Sequence, residues 1–173
     1  AFYTAFAMPE SGDAGSRMGF TVAEGNTAFS ADDRGVLFNK DKTELIQGPI
    51  NMSRDPKNPD KVNNSYTIPS TVRRIGDYAF YYCEELTNFT IPNSVESIGE
   101  MAFDWTGALH QVNSAYYQAA LYISDCLIQV CDNSTFSGDY TVKAGTRLIA
   151  DGAFDRCGML DSVTLPSSLR FLG

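Results

Sequence analysis

The sequence predicts an α/β repeat fold, a right-handed solenoid of short parallel strands. The main observation is a phrase that occurs twice: residues 68–80 read IPSTVRRIGDYAF, and residues 91–103 read IPNSVESIGEMAF. A third copy lies at residues 142–154, in phase with the first two after an insertion. A fourth copy begins at Leu165.

Each copy predicts a strand, a sharp turn and a short helical segment. Leu86-x-x-Phe89-x-Ile91 alternates like a short strand, and Pro92 ends strand pairing because it has no amide proton. The segments GDYAFYYC and GEMAFDW then predict α- or 3-10 helical turns on the convex side, with Asp77 as an N-cap. The period lies in the size range of leucine-rich repeats, whose units bury their apolar faces only by stacking.

The apolar positions that the copies share are predicted to form one continuous core. Phe80, Phe103 and Phe154 fall at one stacked position, and Cys83 and Cys157 at another. A small side chain packs well there, so both cysteines are predicted to be buried free thiols rather than catalytic or disulfide-bonded. The predicted repeat core is Ile68, Ile75, Phe80, Cys83, Leu86, Phe89, Ile91, Ile98, Phe103, Leu109, Phe154, Cys157, Leu160 and Leu165.

The whole chain is predicted to be one solenoid domain. Two stretches read as inserted β-hairpins: GVLFNKDKTELI at residues 35–46, with a polar turn at Asn39–Thr43, and a degenerate second copy around SDCLIQV. Cys126 and Cys131 lie in that second stretch, and the sequence does not decide whether they form a disulfide or are free thiols. The Pro- and Asn-rich residues 51–65 predict an exposed loop. The divisions are an unassigned segment 1–19, a hairpin and loop 20–65, two repeats 66–112, an insertion 113–139, and one and a half repeats 140–173.

The stretch YTIPSTVRRIGDYAFYYCEELTNFTIPNSVESIGEMAF resembles the BspA-type leucine-rich repeat of bacterial cell-surface proteins. The family's AF-x-x-C-x-x-L motif occurs from Ala79 and from Ala153, and GVLFNKDKTELI is similar to a hairpin that the family inserts. The second copy has Thr106 in place of the cysteine, and the third has Lys143 for proline and Ala150 for glycine, which predicts an irregular third coil. The resemblance implies an extracellular or cell-surface protein that adheres to host matrix proteins or to other cells.

Composition and motifs argue against several function classes. A net charge of −8 argues against binding to nucleic acid or to an anionic membrane surface, which both need a basic face. No apolar run approaches the roughly 18 residues of a membrane helix, so membrane insertion is not expected. The lone His110 lies between the core positions Leu109 and Val112, and no G-x-S-x-G, P-loop or H-E-x-x-H is present. We therefore expect no enzyme, no catalytic residue and no cofactor.

Two oxygen-rich stretches have some of the features of a calcium site. NKDKTE at residues 39–44 alternates Asn39, Asp41 and Thr43, but it has Glu44 where an EF-hand loop has glycine and Ile50 where it has the bidentate glutamate. The favoured interpretation is that residues 39–44 form the tip of the predicted β-hairpin. DPKNPD at residues 55–60 carries oxygen atoms without a diagnostic spacing, and no metal site is assigned.

The candidate binding residues belong to two surfaces. Aromatic residues follow the Ala-Phe pairs at positions that repeats leave partly exposed, where rigid rings suit protein or sugar recognition, although packing over neighbouring coils would also explain them. Polar residues alternate along the strands of the concave face, where threonine is favoured whatever the function. The candidates are Tyr81, Tyr82 and Trp105 on the convex side, and Asn88, Thr90, Ser162 and Thr164 on the concave face.

The preferred function is a non-enzymatic binding module that recognises a host or cell-surface protein, or a glycan, through the repeat surface. The alternatives are an architectural spacer and a carbohydrate-binding accessory of a glycan-degrading system. Leu165, Leu169 and Leu172 begin a coil whose Ala-Phe pair is absent. Because an uncapped coil exposes its apolar edge, the sequence predicts a fragment of a longer array or end-to-end association at this edge.

Overall fold

The computed structural model describes residues 19–50, 52, 54–55, 58–114, 120–130 and 137–173. Within these ranges the chain forms fifteen short strands and one helix. The elements are β1 (Phe29–Ala31), β2 (Leu37–Asn39), β3 (Glu44–Gln47), β4 (Arg54–Asp55), β5 (Asn58–Val62), β6 (Ser65–Thr67), β7 (Arg74–Ile75), β8 (Asn88–Thr90), β9 (Ser97–Ile98), α1 (Gly107–Ser114), β10 (Ala120–Ile123), β11 (Cys126–Val130), β12 (Gly138–Thr141), β13 (Leu148–Ile149), β14 (Leu160–Thr164) and β15 (Phe171–Leu172).

Parallel strand pairs display the repeat directly. Ile75 of β7 lies opposite Ile98 of β9, and Ile149 of β13 lies opposite Leu172 of β15, so partners are one repeat period apart in the chain. The pairs β6–β8 and β12–β14 are parallel with the same offset at their central residues. The structure is therefore a β-solenoid of about four turns, as the repeat predicts. We number its coils by their first strand: coil 1 from β6, coil 2 from β8, coil 3 from β12 and coil 4 from β14.

Antiparallel strands precede each pair of coils. β1, β2 and β3 pair antiparallel in that order, and β3 then pairs parallel with β7. In the same way β10 and β11 are antiparallel, and β11 pairs parallel with β13. The two larger sheets have the orders β1-β2-β3-β7-β9 and β10-β11-β13-β15. The last strand of each antiparallel unit thus extends the parallel ladder by one strand.

The convex segments after Gly76 and Gly99 are consecutive turns, not the predicted helices. Tyr78 and Tyr82 have left-handed backbones, with φ of 58° and 61°, and a right-handed helix cannot continue through them. The amide of Tyr81 donates to the carbonyl of Tyr78 at 3.1 Å, which closes a single turn. Asp77 therefore precedes a turn and caps no helix.

The glycine that follows β9 and the one that follows β15 each allow two coils to approach closely. A Cβ atom added to Gly99 would lie 2.6 Å from the backbone nitrogen of Asp77, and one on Gly173 would lie 2.6 Å from that of Asp151. Real Cβ atoms do not approach backbone nitrogen this closely. Any other residue at these positions would push neighbouring coils apart.

The segment predicted to be an exposed loop, residues 51–65, contains strands. β4 and β5 pair antiparallel, and their register shifts between Arg54 and Asp55. Pro59, which has no amide proton to donate, lies in this irregular stretch of β5. Residues 1–18 and Cys131 lie outside the described residues.

The core of coils 1 and 2 is an interleaved stack of aromatic rings. The ring of Phe80 lies 5.4 Å from that of Phe103 at an angle of 23°, and Phe89 contacts both, at 5.1 and 4.9 Å. Tyr66, opposite Phe89 in the ladder, lies 5.6 Å from Phe80. The buried members of the predicted repeat core are Ile68, Ile75, Phe80, Cys83, Leu86, Ile91, Ile98, Phe103 and Leu109.

The last coils are less buried than the repeat predicts. Phe154, Cys157 and Leu160 are only partly buried, as is Phe89 in coil 2, and Leu165 is 45% exposed. β14 and β15 are edge strands of their sheets, and no described strand lies beyond them. The placement of Leu165 in the core was wrong because its side chain lies at this open edge.

Candidate functional site

The convex turns place two large rings at one repeated position. Tyr82 of coil 1 and Trp105 of coil 2 are equivalent residues, and both have left-handed backbones, with φ of 61° and 55°. A non-glycine residue in this region is strained by about 1–3 kcal/mol, so the surrounding structure must hold it. The amide of Phe80 donates to the carbonyl of Ala102 at 2.7 Å, and that of Tyr82 to the carbonyl of Asp104 at 3.2 Å. These bonds between coils 1 and 2 fix the two turns side by side.

Five rings form a continuous aromatic row along these turns: Tyr78, Tyr81, Tyr82, Trp105 and His110. Tyr82 and Trp105 are stacked, with centroids 5.3 Å apart and planes 3° from parallel. Tyr81 meets Tyr82 edge to face at 4.7 Å, Tyr78 meets Tyr81 at 5.5 Å, and His110 meets Trp105 at 5.8 Å. Trp105 is 45% exposed. The row therefore offers solvent a set of rings that hold one another in place.

His110 reaches the row because coil 2 contains a helix that the repeat does not predict. The buried Thr106 hydroxyl donates to the carbonyl of Phe103 at 2.7 Å and accepts from the amide of Leu109 at 3.3 Å. Leu109 is the third residue of α1, so Thr106 is the N-cap of the helix. The threonine that replaces the family's cysteine thus starts α1, and α1 brings His110 into edge-to-face contact with Trp105.

The structure brings Tyr81, Tyr82 and Trp105 together, as three members of one row. Sequence reasoning missed Tyr78 and His110. Tyr78 lies three residues before Tyr81, and a single turn brings residues at this spacing together. The spacing could therefore have predicted that Tyr78 joins the row. His110 carried no such signal because it was assigned between core positions of a strand-like repeat.

Asp104 is a half-buried carboxyl beside the row. Burial raises its pKa, and the effect is opposed by the amide of Trp105, which donates to Oδ1 at 3.1 Å, and by Arg156 and His110. The pKa remains above its ordinary value. The carboxylate is thus incompletely solvated next to the exposed rings.

The polar candidates of the strands occupy two separate ladders. Asn88 and Thr90 are exposed on β8, opposite Ser65 and Thr67 of β6. Ser162 and Thr164 are exposed on β14, opposite Asp139 and Thr141 of β12, and the Ser162 hydroxyl donates to the Asp139 carboxylate. β6–β8 and β12–β14 are distinct two-stranded sheets, so the candidates form two patches rather than one stripe.

The three described cysteines are free thiols. Cys83 is fully buried with Sγ 3.4 Å from the carbonyl oxygen of Pro49, and burial raises its pKa far above the usual value. Burial also raises the pKa of Cys126, to about 12. Cys157 is partly exposed, which corrects its assignment as a buried residue, and burial raises its pKa less. A thiol with a raised pKa holds little thiolate at neutral pH, so none of the three is activated as a nucleophile.

The polar turn at residues 39–44 is closed by its own side chains. The Asn39 amide donates to the Thr43 hydroxyl at 2.8 Å, and its oxygen accepts from the amide of Glu44 at 3.0 Å. Asn39 and Thr43 are thus engaged in the turn. Among the residues that the structure describes, no three His, Cys, Asp or Glu side chains are placed to hold a metal ion. The side chains of residues 55–60 lie outside that description.

Comparison with known proteins identifies the repeat. Residues 60–173 match the family model of the BspA type leucine rich repeat region, in six copies. No curated protein matches the chain. Similar solved structures include a leucine-rich repeat protein from Eubacterium ventriosum (22% identity over 83% of this chain and 28% of that one, TM-score 0.43) and the pneumococcal vaccine antigen PcpA (22% identity, 84% and 32%, TM-score 0.49). A leucine rich cell surface protein from Faecalibacterium prausnitzii is 21% identical over 91% of this chain and 45% of its own, with a TM-score of 0.32. The chain thus spans less than half the length of each of these proteins.

Proposed function

Because the chain belongs to the BspA-type leucine-rich repeat family, we propose that it is a non-enzymatic binding module of a secreted or cell-surface protein. Its ligand is a protein or a glycan, and the main contact is the aromatic row. The observation that carries the proposal is Trp105, 45% exposed between Tyr82 and His110. The two polar ladders, with Asn88 and Thr90 on one and Ser162 and Thr164 on the other, are proposed as secondary contacts.

The energetics of the row favour recognition. Tyrosine and tryptophan combine a large apolar face with a polar edge, and they dominate the binding energy of many interfaces. Tyr82 and Trp105 are already stacked, and their backbones are held by hydrogen bonds between coils. They therefore lose little conformational freedom when a ligand binds, which reduces the entropic cost of association.

Trp105 is the sole tryptophan of the chain, so its fluorescence reports on the proposed surface alone. An array of matrix proteins and glycans would first identify a ligand. Titration of that ligand should change the emission of Trp105 and protect it from quenching by acrylamide. Trp105→Ala should weaken binding about thirtyfold, as expected for a hot-spot residue that contributes about 2 kcal/mol.

Met159→Ala is the matched control, because Met159 is 57% exposed and belongs to coil 3, whereas the row is built from residues of coils 1 and 2. It should bind as the unmodified protein does, and circular dichroism should show that both variants are folded. A ligand that binds without altering Trp105 emission, and equally well to Trp105→Ala, would refute the aromatic row as the binding surface.

An architectural spacer is the second candidate function, and the Arg34 contacts favour it. The Arg34 guanidinium donates to the carbonyls of Met52, Ser65 and Asn63, which ties the chain before β2 to the start of coil 1. Such ties stiffen the stack. For a spacer, cells that display the parent protein would adhere equally with Trp105→Ala, but adhesion would fall if the chain were replaced by a flexible Gly/Ser linker of the same number of residues.

The open edge of coil 4 supports association with a second copy or a further repeat. Val163, Leu165 and Leu172 are 37%, 45% and 64% exposed, in and next to β14 and β15. Exposed apolar side chains next to unpaired strand edges favour pairing with another chain. Leu172→Lys should reduce self-association in sedimentation velocity experiments. A chain that is monomeric at all concentrations, with or without the lysine, would contradict association with a second copy.

An extracellular or cell-surface location is proposed from the family. The described residues include no helix that is long and apolar enough to cross a membrane. Detection of the chain on intact cells with an antibody, before and after treatment with an external protease, would test the location.

A further inference from the structure

A cleft of about 540 Å³ opens where coil 2, the β10–β11 turn and coils 3 and 4 meet. We call it the corner cleft. Its walls include Asn93 from coil 2, Asp125 from the β10–β11 turn, Arg147 from coil 3, and Arg170 and Phe171 from coil 4. Its volume lies in the range of small-ligand sites, about 300–1,000 Å³. It does not include any residue of the aromatic row.

The corner cleft lies beside β11, a strand of the ladder that is not preceded by a corner segment. In every coil a corner segment joins the first strand to the second, as residues 91–96 join β8 to β9 and residues 142–147 join β12 to β13. β11 is reached instead through the two-residue turn Ser124–Asp125. Ser124 has a left-handed backbone, with φ of 55°, and its hydroxyl accepts from the amide of Ile91 at 3.1 Å. This short turn does not fill the space that a corner segment would occupy.

Arg147 lines the cleft, but its guanidinium is bound to the protein itself. It is 8% exposed, and its guanidinium donates to the carbonyls of Val95 and Pro92. Its Nε lies 2.9 Å from Oδ1 of Asp125. This pairing neutralises the buried guanidinium, as a buried charge requires, so Arg147 holds the wall in place and leaves no net charge to a ligand.

Arg170 differs from Arg147 because no described side chain pairs with its charge. It is exposed and forms no ion pair within the described part of the chain, and only its backbone amide is bonded, to the carbonyl of Arg147 at 2.8 Å. The acidic Glu96 at the other wall is paired with Arg73 at 2.8 Å. The cleft therefore presents one uncompensated cation on a chain of net charge −8.

Hydrogen-bonding groups and an apolar surface surround this cation. Asn93 and Ser167 are exposed and make no hydrogen bond with another described residue, so both are available to a ligand. Phe171 is half-buried in the wall. An arginine fork pairs with a carboxylate through two parallel hydrogen bonds, amide and hydroxyl groups bond to hydroxyls, and an aromatic ring packs against aliphatic C–H groups.

We propose that the corner cleft binds a sugar that carries a carboxylate, of the uronic acid class. The carboxylate pairs with Arg170, ring hydroxyls bond to Asn93 and Ser167, and a C–H face of the sugar packs on Phe171. The proposal gives a ligand class to the binding role proposed above but uses a separate surface. Each can fail without the other, because Trp105 takes no part in the cleft.

Isothermal titration with galacturonic acid tests the proposal, with galactose as the neutral counterpart and acetate as a carboxylate without a sugar. Galacturonic acid should bind at least about tenfold more tightly than either, because a charge-assisted pair and the sugar contacts are both needed. Its affinity should fall as salt is raised. Saturation-transfer NMR should place the sugar protons next to the ring of Phe171.

Arg170→Gln should weaken galacturonic acid binding about tenfold or more, whereas Arg156→Gln should not change it. Arg156 is the matched control because it is an exposed arginine outside the cleft. Ser167→Ala alters an exposed side chain and should have little effect on folding, and it should weaken binding severalfold. It replaces Arg170→Gln as the test if that variant is unstable. Equal binding of galactose, equal binding of acetate, no saturable binding, or an unchanged affinity in Arg170→Gln would each overturn the proposal.

Discussion

Replacing Phe103 with alanine is the sharpest test of the stacked core. Phe103 is 1% exposed, and its ring lies 5.4 Å from Phe80 and 4.9 Å from Phe89. The substitution removes one ring from the aromatic stack that coils 1 and 2 share. Because repeats are stable mainly through contacts between neighbours, the loss should weaken the whole array.

The expected magnitude follows from the contacts of Phe103. Withdrawing a buried phenylalanine side chain from the core forfeits about 1.5–3 kcal/mol of burial free energy. Losing two aromatic contacts forfeits about 0.5–1.5 kcal/mol more for each. The sum agrees with the roughly 3–5 kcal/mol seen when a buried phenylalanine is truncated and a cavity remains.

Phe154→Ala is the matched control, since Phe154 occupies the equivalent repeat position in coil 3 but is only partly buried. It contacts Tyr140 at 5.9 Å, the single ring contact described for it. Urea denaturation followed by circular dichroism should give a loss for Phe154→Ala of about half that for Phe103→Ala or less. A loss below about 1 kcal/mol for Phe103→Ala, or equal losses at both positions, would refute the stacked core.

Three further predictions concern single side chains. In the native protein Cys83 should resist iodoacetamide while Cys157 reacts first, since burial raises the pKa of Cys83 more; peptide-resolved mass spectrometry showing equal rates would contradict this. Burial raises the pKa of Asp104 above 3.8, so the folded state binds the carboxyl proton more tightly than the unfolded state does. Protonated Asp104 therefore stabilises the fold below pH 3.8, and this contribution is lost as the pH rises through the raised pKa of the folded state. Asp104→Asn should therefore raise Tm at pH 7 and leave it unchanged near pH 3. A lower Tm at pH 7 would show that ionised Asp104 stabilises the fold, contrary to the raised pKa. Thr106→Val keeps the volume but removes the N-cap of α1, so the free energy of unfolding should fall by about 0.5–2 kcal/mol and the amide of Leu109 should exchange faster; unchanged exchange would show that Thr106 is not the cap.

The repeat was predictable because backbone pairing imposes it on the sequence. Ile75 lies opposite Ile98 and Ile149 opposite Leu172, and both pairs have the same separation along the chain, so an apolar residue on one coil requires another on the next. Gly99 recurs for a related reason, since a side chain there would collide with the previous coil. Such constraints act at a fixed spacing and can be recognised in a single sequence.

The convex turns were not predictable in the same way. GDYAFYYC has nothing locally that forbids a helix, yet Tyr78 and Tyr82 adopt left-handed backbones. The amides of both residues donate to carbonyls of coil 2, those of Glu100 and Asp104. Partners in the next coil, distant in sequence, decide the conformation, and local propensity does not contain that information.

The two candidate sites arise where the chain departs from its repeat. At the position of Cys83 in coil 1, coil 2 has Thr106, whose hydroxyl caps α1 and so brings His110 against Trp105. Where a coil would have a corner segment, the turn Ser124–Asp125 is short, and the corner cleft opens beside it. A regular stack satisfies its own backbone and buries its own apolar residues, which leaves little surface of distinctive shape. The repeats therefore provide the scaffold, and the irregular positions create the surfaces on which a ligand can be recognised.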